Sequence, residues 1–299
     1  MKKKIVFLLW CSWVCASSFS GMEHWYHPHK ISLTGSGGSL TNVSSDVYNP
    51  ACLWSLPRSF DVSFVSYPAD INTQSVHLSL PGKGSVTVYG IRHVNYGLFE
   101  GKDSNNDPAP DYYASDTWFS WAAAGHSSRW PLAWGVNAGL FYSSIENKEA
   151  VLFTYSAGGV LTSRSLDAKL GFAFMNGGRI IKKYTTSQDV IPTSIMISVA
   201  KDLEYLPLTL SADIINRLND NKAHFRFGGV FHLQNNIELK FGTSSNRIDQ
   251  STEDNFSKDL LTDTGFGIGW RYEKYHFESG FYSYGPGGWI SGLAVGIQF

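Results

Sequence analysis

Trp289-Ile-Ser-Gly-Leu-Ala-Val-Gly-Ile-Gln-Phe299, the last segment of the chain, alternates between two kinds of side chain. In an extended strand the apolar residues share one face and the small or polar residues share the other, the two sets being Leu293, Val295, Ile297 and Phe299 against Gly292, Ala294, Gly296 and Gln298. A strand of this length that carries a terminal aromatic residue is typical of the last strand of an outer-membrane β-barrel. Considered alone, the segment also fits an edge strand of a soluble all-β protein.

The same pattern continues over residues 59–299. We predict fourteen strands of about ten residues, which is the length of a tilted crossing of a lipid bilayer. Several of them alternate as cleanly as the last one, for example the segment 132–143. The predicted strands are 59–67, 73–80, 84–94, 115–126, 132–143, 150–162, 166–176, 192–201, 206–214, 223–233, 236–245, 261–272, 275–284 and 289–299.

The connections between the predicted strands fall into two classes of length. They are short after even-numbered strands, and they tend to be longer after odd-numbered strands, at 95–114, 177–191, 215–222 and 246–260. A barrel whose chain ends both lie in the periplasm has short periplasmic turns and long outer loops, whereas a soluble sandwich has no reason to sort its connections in this way. The sequence therefore predicts an all-β fold, a transmembrane antiparallel barrel in the outer membrane of a diderm bacterium, with N- and C-termini periplasmic and long loops extracellular.

The composition agrees with this class of fold. Charged residues make up 16% of the chain and aromatic residues 15%, and there are 29 glycines, a profile that suits many strands and tight turns. The mean hydropathy of −0.14 resembles that of a soluble protein. A barrel with a polar lumen gives the same average, because only alternate residues face lipid. The net charge of −1 gives no indication of nucleic-acid binding.

The N-terminus has the layout of a secretory signal peptide. Three lysines at positions 2–4 precede an apolar run over 5–14, and small residues follow before Gly21. We assign residues 1–20 to this signal peptide, whose apolar run is too short to span a bilayer. Cys52 is the one cysteine beyond it, so the mature chain cannot form an intramolecular disulfide.

Residues 21–58 differ in character from the predicted strands that follow. Asn49 and Pro50 have the residue types of a helix N-cap and first helical position, and they predict a short helix that ends near Pro57. A barrel of fourteen strands is wide enough to leak unless it is filled. Apolar residues such as Leu53 favour a plug over a loose periplasmic tail, because a free tail gains nothing from them. We therefore predict that residues 21–58 plug or cap the lumen.

Five stretches of the sequence carry a family resemblance: Val47-Tyr-Asn-Pro-Ala51, Val65-Ser-Tyr67 with Ala69-Asp-Ile71, Val94-Asn-Tyr-Gly-Leu-Phe99, Tyr113-Ala-Ser-Asp116 and Ile191-Pro192. Together they resemble the FadL-type outer-membrane proteins and, among these, the PorV/PorQ branch of the type IX secretion system. The compact length is closer to PorQ. The resemblance covers about residues 45–200 and implies a non-enzymatic partner in a surface complex that attaches secreted cargo. The plug motif Asn49-Pro50-Ala51 is common to FadL-type barrels, so it does not separate secretion partners from transporters.

No combination of residues predicts catalysis. Gly265 to Gly269 has glycines at every second position of a strand, which is not a phosphate-binding loop. Asp103, Asn105 and Asp107 have the spacing of a calcium loop, but Pro108 replaces the glycine that such a loop requires. We expect no enzyme activity, no cofactor and no metal site.

Charged residues on the predicted strands are expected to line the lumen, because a lysine or arginine on the lipid face costs roughly 2–4 kcal/mol near the bilayer midplane. We interpret them as ion pairs that brace the wall and hold the plug, with Arg226 and Glu238 as one pair across neighbouring strands. A polar path for a substrate is the alternative. The residues concerned are Asp213, Arg226, Glu238, Lys240, His276 and Glu278.

Two functions remain open from the sequence. The first is a component of the type IX secretion system whose partners are a sortase-like protease and related attachment-complex subunits. This function would use the outer loops, and the expected recognition residues are Tyr96, Phe99, Asp103 and Asp107. The alternative is a FadL-like channel that carries hydrophobic small molecules across the outer membrane.

Overall fold

The computed structural model describes residues 19–41, 44–102, 105, 107–184, 189–219, 223–247 and 261–299. These residues form fourteen antiparallel strands that pair in sequence order and close into a barrel. The strands are β1 Ser59–Ser66, β2 Asn72–Pro81, β3 Ser85–Lys102, β4 Pro108–His126, β5 Leu132–Ile145, β6 Lys148–Ser163, β7 Ala168–Lys182, β8 Ser194–Asp202, β9 Leu208–Arg217, β10 Ala223–His232, β11 Ile237–Ser244, β12 Thr264–Tyr272, β13 Tyr275–Ser283 and β14 Trp289–Gln298.

Short helical elements accompany the strands in the described ranges. The α-helix α1 spans Pro28–Ser32, and 3₁₀ turns lie at Ser20–Met22, Pro50–Ser55, Gln234–Asn236 and Gly285–Gly287. In the described part of the chain, no helix is long and apolar enough to cross a membrane.

The last strand closes the barrel against the first. β14 pairs with β1 from Ser59 opposite Gln298 to Ser66 opposite Ser291. Successive side chains of a strand point to opposite faces, so one face of this pair is apolar and turned outward while the other faces the lumen. Phe64 and Leu293 are exposed on the outer face, whereas Asp61 is buried on the inner one. This arrangement confirms the two faces that the sequence predicts for the last segment.

The two ends of the barrel differ in their connections. At one end, here called the terminal end, the backbone N–H of Phe299 donates to the carbonyl of Arg58, and all six connections are short. At the opposite end, here called the loop end, the two long connections are 183–193 and 245–263. The short connections predicted after even-numbered strands are therefore present, whereas only two of the four longer connections predicted at the loop end are long, because 103–107 and 218–222 have five residues each.

The predicted loop 95–114 is wrong for most of its length. β3 continues to Lys102 and β4 begins at Pro108, so only 103–107 connect them. Two register shifts, between Asn95 and Leu98 and between Phe99 and Gly101, interrupt the alternation of side chains. Bulges of this kind insert unpaired residues into a strand and remove the period of two by which sequence reasoning recognises one. A similar register shift, between Tyr155 and Ala157, interrupts the alternation near residue 176. The prediction therefore ends β7 at 176, whereas the strand continues to Lys182.

Candidate functional site

The N-terminal segment, here called the plug, lies inside the barrel over residues 19–41 and 44–57. α1 packs against β11 to β14, and the 3₁₀ turn Pro50–Ser55 packs against β3 to β6. Phe19 lies at the loop end, where its ring is 6.0 Å from that of Phe141 near the end of β5. The plug leaves at the terminal end through Pro57. The expectation that both chain ends lie on one side is therefore wrong for Phe19, which is at the end opposite to Phe299.

Asn49 connects the plug to itself and to the wall. Its Oδ1 accepts from the N–H of Ala51 at 3.0 Å, which caps the 3₁₀ turn, and Pro50 occupies the first position of that turn. Its Nδ2 donates to the carbonyl of Gly38 at 3.0 Å within the plug and to that of Gly159 on β6 at 3.2 Å. The motif Asn49-Pro50-Ala51 is thus the place where the plug rests on β5 and β6.

Glycines on the inner face of the wall allow the plug backbone to approach closely. A side-chain carbon on Gly135 would overlap the carbonyl of Pro50, and one on Gly265 would overlap the carbonyl of Ile31 in α1. A glycine leaves room for another backbone because it has no Cβ. Part of the high glycine content therefore serves the contact between plug and wall rather than turns.

A buried charge cluster lies at the centre of the plug. Nζ of Lys30 is 3.0 Å from Oδ1 of Asp46, and Nη2 of Arg92 on β3 is 2.5 Å from the same oxygen. Burial alone would raise the pKa of Asp46, but the charges of Arg92 and Lys30 outweigh it and hold this pKa below its usual range. Burial lowers the pKa of Lys30 to about 8, although Asp46 opposes the shift. The cluster fixes the plug to the wall through one carboxylate that serves two cations.

Two of the predicted lumen charges hold the loop that follows α1. The Asp213 carboxylate accepts from the backbone N–H of Gly38 at 3.0 Å and from the hydroxyl of Ser198 at 2.5 Å. Nη1 of Arg226 donates to the carbonyl of Gly35 at 3.0 Å, and its guanidinium lies 5.4 Å from the centre of the Tyr48 ring. Both residues act on the plug backbone, which agrees with a bracing role.

The remaining predicted charges form a second cluster on β11 to β13. Nζ of Lys240 is 2.6 Å from Glu278 and 3.3 Å from Glu238, and the plug residue His29 is 3.6 Å from Glu278. His276 is 3.7 Å from Glu278. The predicted pair of Arg226 with Glu238 does not form, because Arg226 is opposite Ser244 in the register of β10 and β11, whereas Glu238 is opposite His232.

The expected outer-loop residues lie in different environments. Tyr96 points inward, and its hydroxyl donates to Oδ2 of Asp116 at 2.6 Å. Phe99 lies on β3 and stacks on Tyr112 with the ring centres 5.4 Å apart. Asp107 is exposed just before β4, and Asp103 lies outside the described residues. Among the residues that the structure describes, no group of three or more His, Cys, Asp or Glu side chains could hold a metal ion.

A cavity of about 100 Å³ remains between the plug and the wall. It reaches the loop end, because its lining includes Glu23 and Arg217, a partly exposed ion pair of 2.9 Å at the end of β9. The lining mixes polar and apolar side chains and includes Lys30 and Arg92 of the charge cluster. The apolar and aromatic lining consists of Met22, Val47, Leu53, Val88, Trp118, Met175 and Ile215.

Sequence reasoning missed the central cluster of Lys30, Asp46 and Arg92. The plug pair is separated by sixteen residues, and Arg92 lies on a strand that contacts the plug through space only. Arg92 on a predicted strand was the available signal, since a charge at such a position has to face the lumen. Nothing in the sequence names its partner.

No family model matches the sequence, and no curated protein matches it. Solved structures do share its fold. The Pseudomonas putida toluene transporter TodX superimposes with a TM-score of 0.61 at 9% identity, covering 92% of this chain and 98% of TodX. The fold is FadL-like. This FadL-like barrel also matches a Pseudomonas aeruginosa FadL homologue with a TM-score of 0.55 at 10% identity, over 92% of this chain and 98% of that one.

A deletion mutant of TodX, described as a monoaromatic hydrocarbon channel, superimposes with a TM-score of 0.64 at 10% identity. The match covers 92% of this chain and 99% of the TodX mutant. Similarity at such identities establishes the fold of the FadL-like barrel.

Proposed function

We propose that this protein is a non-enzymatic channel in the outer membrane of a diderm bacterium, and that it admits hydrophobic small molecules from the outside into the plugged lumen. The cavity beside the plug carries this proposal, because it reaches the loop end and its lining includes Trp118, Met175 and Ile215. Apolar side chains of this kind bind a hydrophobic ligand, and polar groups in the same lining orient it. TodX, which has the same fold, is described as a toluene transporter.

The belt of apolar side chains around the barrel supports the membrane location. Outward-facing residues such as Phe227 on β10 and Ile268 on β12 are about half exposed in the isolated chain. A soluble monomer rarely exposes an apolar surface of this extent, whereas the hydrocarbon core of a membrane requires it. The loop end then faces the outside and the terminal end the periplasm, as the short turns of outer-membrane barrels are periplasmic.

The plug lies between the cavity and the periplasmic end of such a path. The cluster of Lys30, Asp46 and Arg92 lies against the cavity and fastens the plug to β3. A molecule in the cavity therefore reaches the periplasm only if the plug rearranges or if the ligand leaves through the wall. The ion pairs make the first route costly while they are intact, because separating buried charges leaves them unpaired.

Adjacent residues of β9 provide the test. Ile215 is buried and lines the cavity, whereas Ile214 is exposed on the outer face. Ile215→Trp fills the cavity, so binding of toluene or of a longer apolar probe to the purified barrel should be lost, measured by quenching of intrinsic tryptophan fluorescence and by uptake into barrel-containing vesicles. Ile214→Trp is the matched control and should bind as the wild type does. Equal binding by both variants would contradict the proposal.

A second function, that of a secretion-system partner, is favoured by the hairpin of β3 and β4. β2 pairs with β3 only as far as Asn95, and β5 pairs with β4 only from Ala114. Residues 96–102 and 108–113 therefore pair only with each other, and they form a ribbon that projects from the barrel rim by about 20 Å at 3.3 Å per residue. Leu98 and Tyr113 are among its exposed apolar side chains.

The ribbon has an edge that an extended peptide could join. The carbonyl of Tyr113 accepts from Glu146 at 3.2 Å, so Tyr113 points its backbone groups toward the β5 side. An exposed strand edge of this kind is a site for strand addition by a partner.

The two functions are distinguished by replacing residues 98–113 with a short turn. If the protein serves a type IX secretion complex, the shortened barrel should no longer co-purify with a sortase-like protease or with other attachment-complex subunits, and cargo should fail to attach to the cell surface. Ligand binding in the lumen should be unchanged by the same deletion. Normal cargo attachment by the shortened barrel would exclude this hairpin as the docking surface.

A further inference from the structure

Asp116 is a buried carboxylate at the loop end of the lumen whose hydrogen-bond partners are neutral. Tyr96 donates to one of its oxygens at 2.6 Å and Ser143 donates to the other. The backbone of Gly21 also hydrogen-bonds to it. In the part of the chain that the structure describes, no lysine or arginine pairs with Asp116, and His24 is the basic side chain that acts on it electrostatically. A buried carboxylate without a full counter-charge is costly, so a cation at this site would stabilise it.

A second carboxylate, that of Asp189, has a buried oxygen without a hydrogen-bond partner among the described residues. Asp116 and Asp189 both act electrostatically on the hydroxyl of Tyr184, which donates to Ser143. The loop end of the lumen therefore holds two acidic side chains around Tyr184 and no lysine or arginine that pairs with Asp116.

Phe19 brings the start of the described chain to this place. It is 1% exposed, and its ring stacks on Tyr184 with the ring centres 5.9 Å apart. Gly21 is so close to Asp116 that a side-chain carbon on it would overlap the carboxylate. Two residues span at most roughly 7 Å, and the turn Ser20–Met22 shortens this distance further, because Met22 donates to the carbonyl of Phe19 at 3.1 Å. The backbone nitrogen of Phe19 is therefore near Asp116.

We propose that signal peptidase cleaves the bond between Ser18 and Phe19, and that the α-ammonium group of Phe19 stays in the lumen as the counter-charge of Asp116. The C–N bond of this peptide unit breaks and one water is consumed. Its oxygen completes the Ser18 carboxylate, and its two hydrogens go to the nitrogen of Phe19, which becomes a positively charged ammonium. Processing of the precursor thus completes the charge balance of the plug.

The sequence permits two cleavage sites, and the packing of Phe19 selects one. Small residues at Ala16 and Ser18 suit cleavage before Phe19, and those at Ser18 and Ser20 suit cleavage before Gly21. The second choice would discard a phenylalanine that packs edge-on against Phe141 and stacks on Tyr184. It would also discard the hydroxyl of Ser20, which lies 3.1 Å from that of Tyr96. Cleavage before Phe19 keeps all of these contacts.

The first experiment determines the N-terminal residue of the protein purified from membranes, by sequencing and by intact mass. We expect Phe19-Ser20-Gly21, and a chain that begins at Gly21 or at any other residue overturns the proposal. Ser18→Leu and Ser20→Leu form the matched pair of variants, because a bulky residue directly before the bond blocks signal peptidase. Ser18→Leu should accumulate as the precursor, and Ser20→Leu should be processed to Phe19. The reverse result would place the site before Gly21.

The second experiment measures the reactivity of the new amine. The α-amino group has a lower pKa than lysine, so an acylating reagent near neutral pH modifies it first. An ammonium held by the Asp116 carboxylate should react about tenfold more slowly in the folded barrel than after denaturation, as follows from a rise of one pKa unit. Asp116→Asn should restore part of the reactivity, whereas Glu149→Gln at an exposed outer position should not. Equal rates in the folded and denatured wild type would exclude the ion pair.

Discussion

Asp46 is the residue on which the charge balance at the centre of the plug depends. It is fully buried, and both Lys30 and Arg92 contact the same oxygen. Asp46→Asn keeps the shape of the side chain but leaves two buried cations without a counter-charge. Removing one partner of a buried ion pair costs about 3–5 kcal/mol.

We therefore expect Asp46→Asn to lower the temperature at which the barrel loses its folded mobility on a denaturing gel, and to make the plug accessible to protease. Glu149→Gln is the control, since it removes an ion pair with Lys182 in which both side chains are about half exposed. Pairs of this kind contribute little because water screens them. If the two variants unfold at the same temperature, the central cluster does not anchor the plug.

His29 predicts how the plug responds to acid. Burial and the neighbouring Lys240 lower the pKa of His29 to about 4, although Glu278 opposes the shift. The unfolded chain therefore binds a proton at this position between pH 6.5 and 4 while the folded chain does not, so this residue makes the barrel less stable as the pH falls through that interval. The unfolding temperature of His29→Gln should fall less than that of the wild type over the same interval. Substitution of the exposed His126 by glutamine is the control, and its unfolding temperature should fall as much as that of the wild type. If the unfolding temperature of His29→Gln changes with pH as that of the wild type does, His29 is not the source of the acid destabilisation.

At the scale of single residues, the sequence predicts which face a side chain occupies but not what it meets there. Glu238, Lys240 and Glu278 could be placed in the lumen from strand parity alone, because a charge on the lipid face is so costly. Their partners depend on strand register and on the path of the plug. The predicted pair of Arg226 with Glu238 failed for this reason, since these residues occupy different levels of neighbouring strands.

α1 and β12 form the element contact that is most sensitive to volume. A methyl group on Gly265 would overlap the carbonyl of Ile31 and lie 2.8 Å from that of Ser32. Backbone atoms cannot turn away as a side chain can, so Gly265→Ala should destabilise the folded barrel by about 1–3 kcal/mol through overpacking. Gly269 lies on the same face of β12, and the nearest atom to its added carbon is at 3.5 Å. Gly269→Ala should therefore unfold at the wild-type temperature, and equal effects of the two variants would disprove the close contact.

At the scale of elements, fourteen strands could be predicted, and the errors concentrate where strands are irregular. Asn176 has a positive φ of 56° beside a register shift between β6 and β7, and the sequence pattern ends the strand there. The structure continues β7 to Lys182. Alternation detects a strand only while each residue advances it by one position, and a bulge breaks that rule without ending the pairing.

The whole molecule is a wide barrel that the plug fills. Deleting residues 28–41 removes α1 and the loop that Asp213 and Arg226 hold. The lumen should then be open, because fourteen strands enclose more space than wall side chains alone can fill. We expect this deletion to produce large conductance steps in a planar bilayer, whereas the wild type and Gly269→Ala should show none of that size. A deleted barrel that stays closed would mean that the wall, or the plug residues that remain, seal the lumen.

The barrel as a whole could be predicted because its evidence is spread along the chain, in the strand number and in the sorting of the turns. The path of the plug could not, because it depends on contacts between residues far apart in sequence. Asn49 was recognisable as a helix cap, yet its bond to Gly159 joins positions separated by 110 residues. Local sequence patterns contain no information on such a contact.

The seam between β1 and β14 has a consequence for biogenesis. The ribosome makes the strand that seals the wall after it makes the segment enclosed by that wall. The enclosed segment must therefore stay beside an unfinished sheet until β14 has been exported, and it has to be in position when the two edges meet. An assembly machine that joins these edges early would yield a barrel with an empty lumen and with the plug left outside.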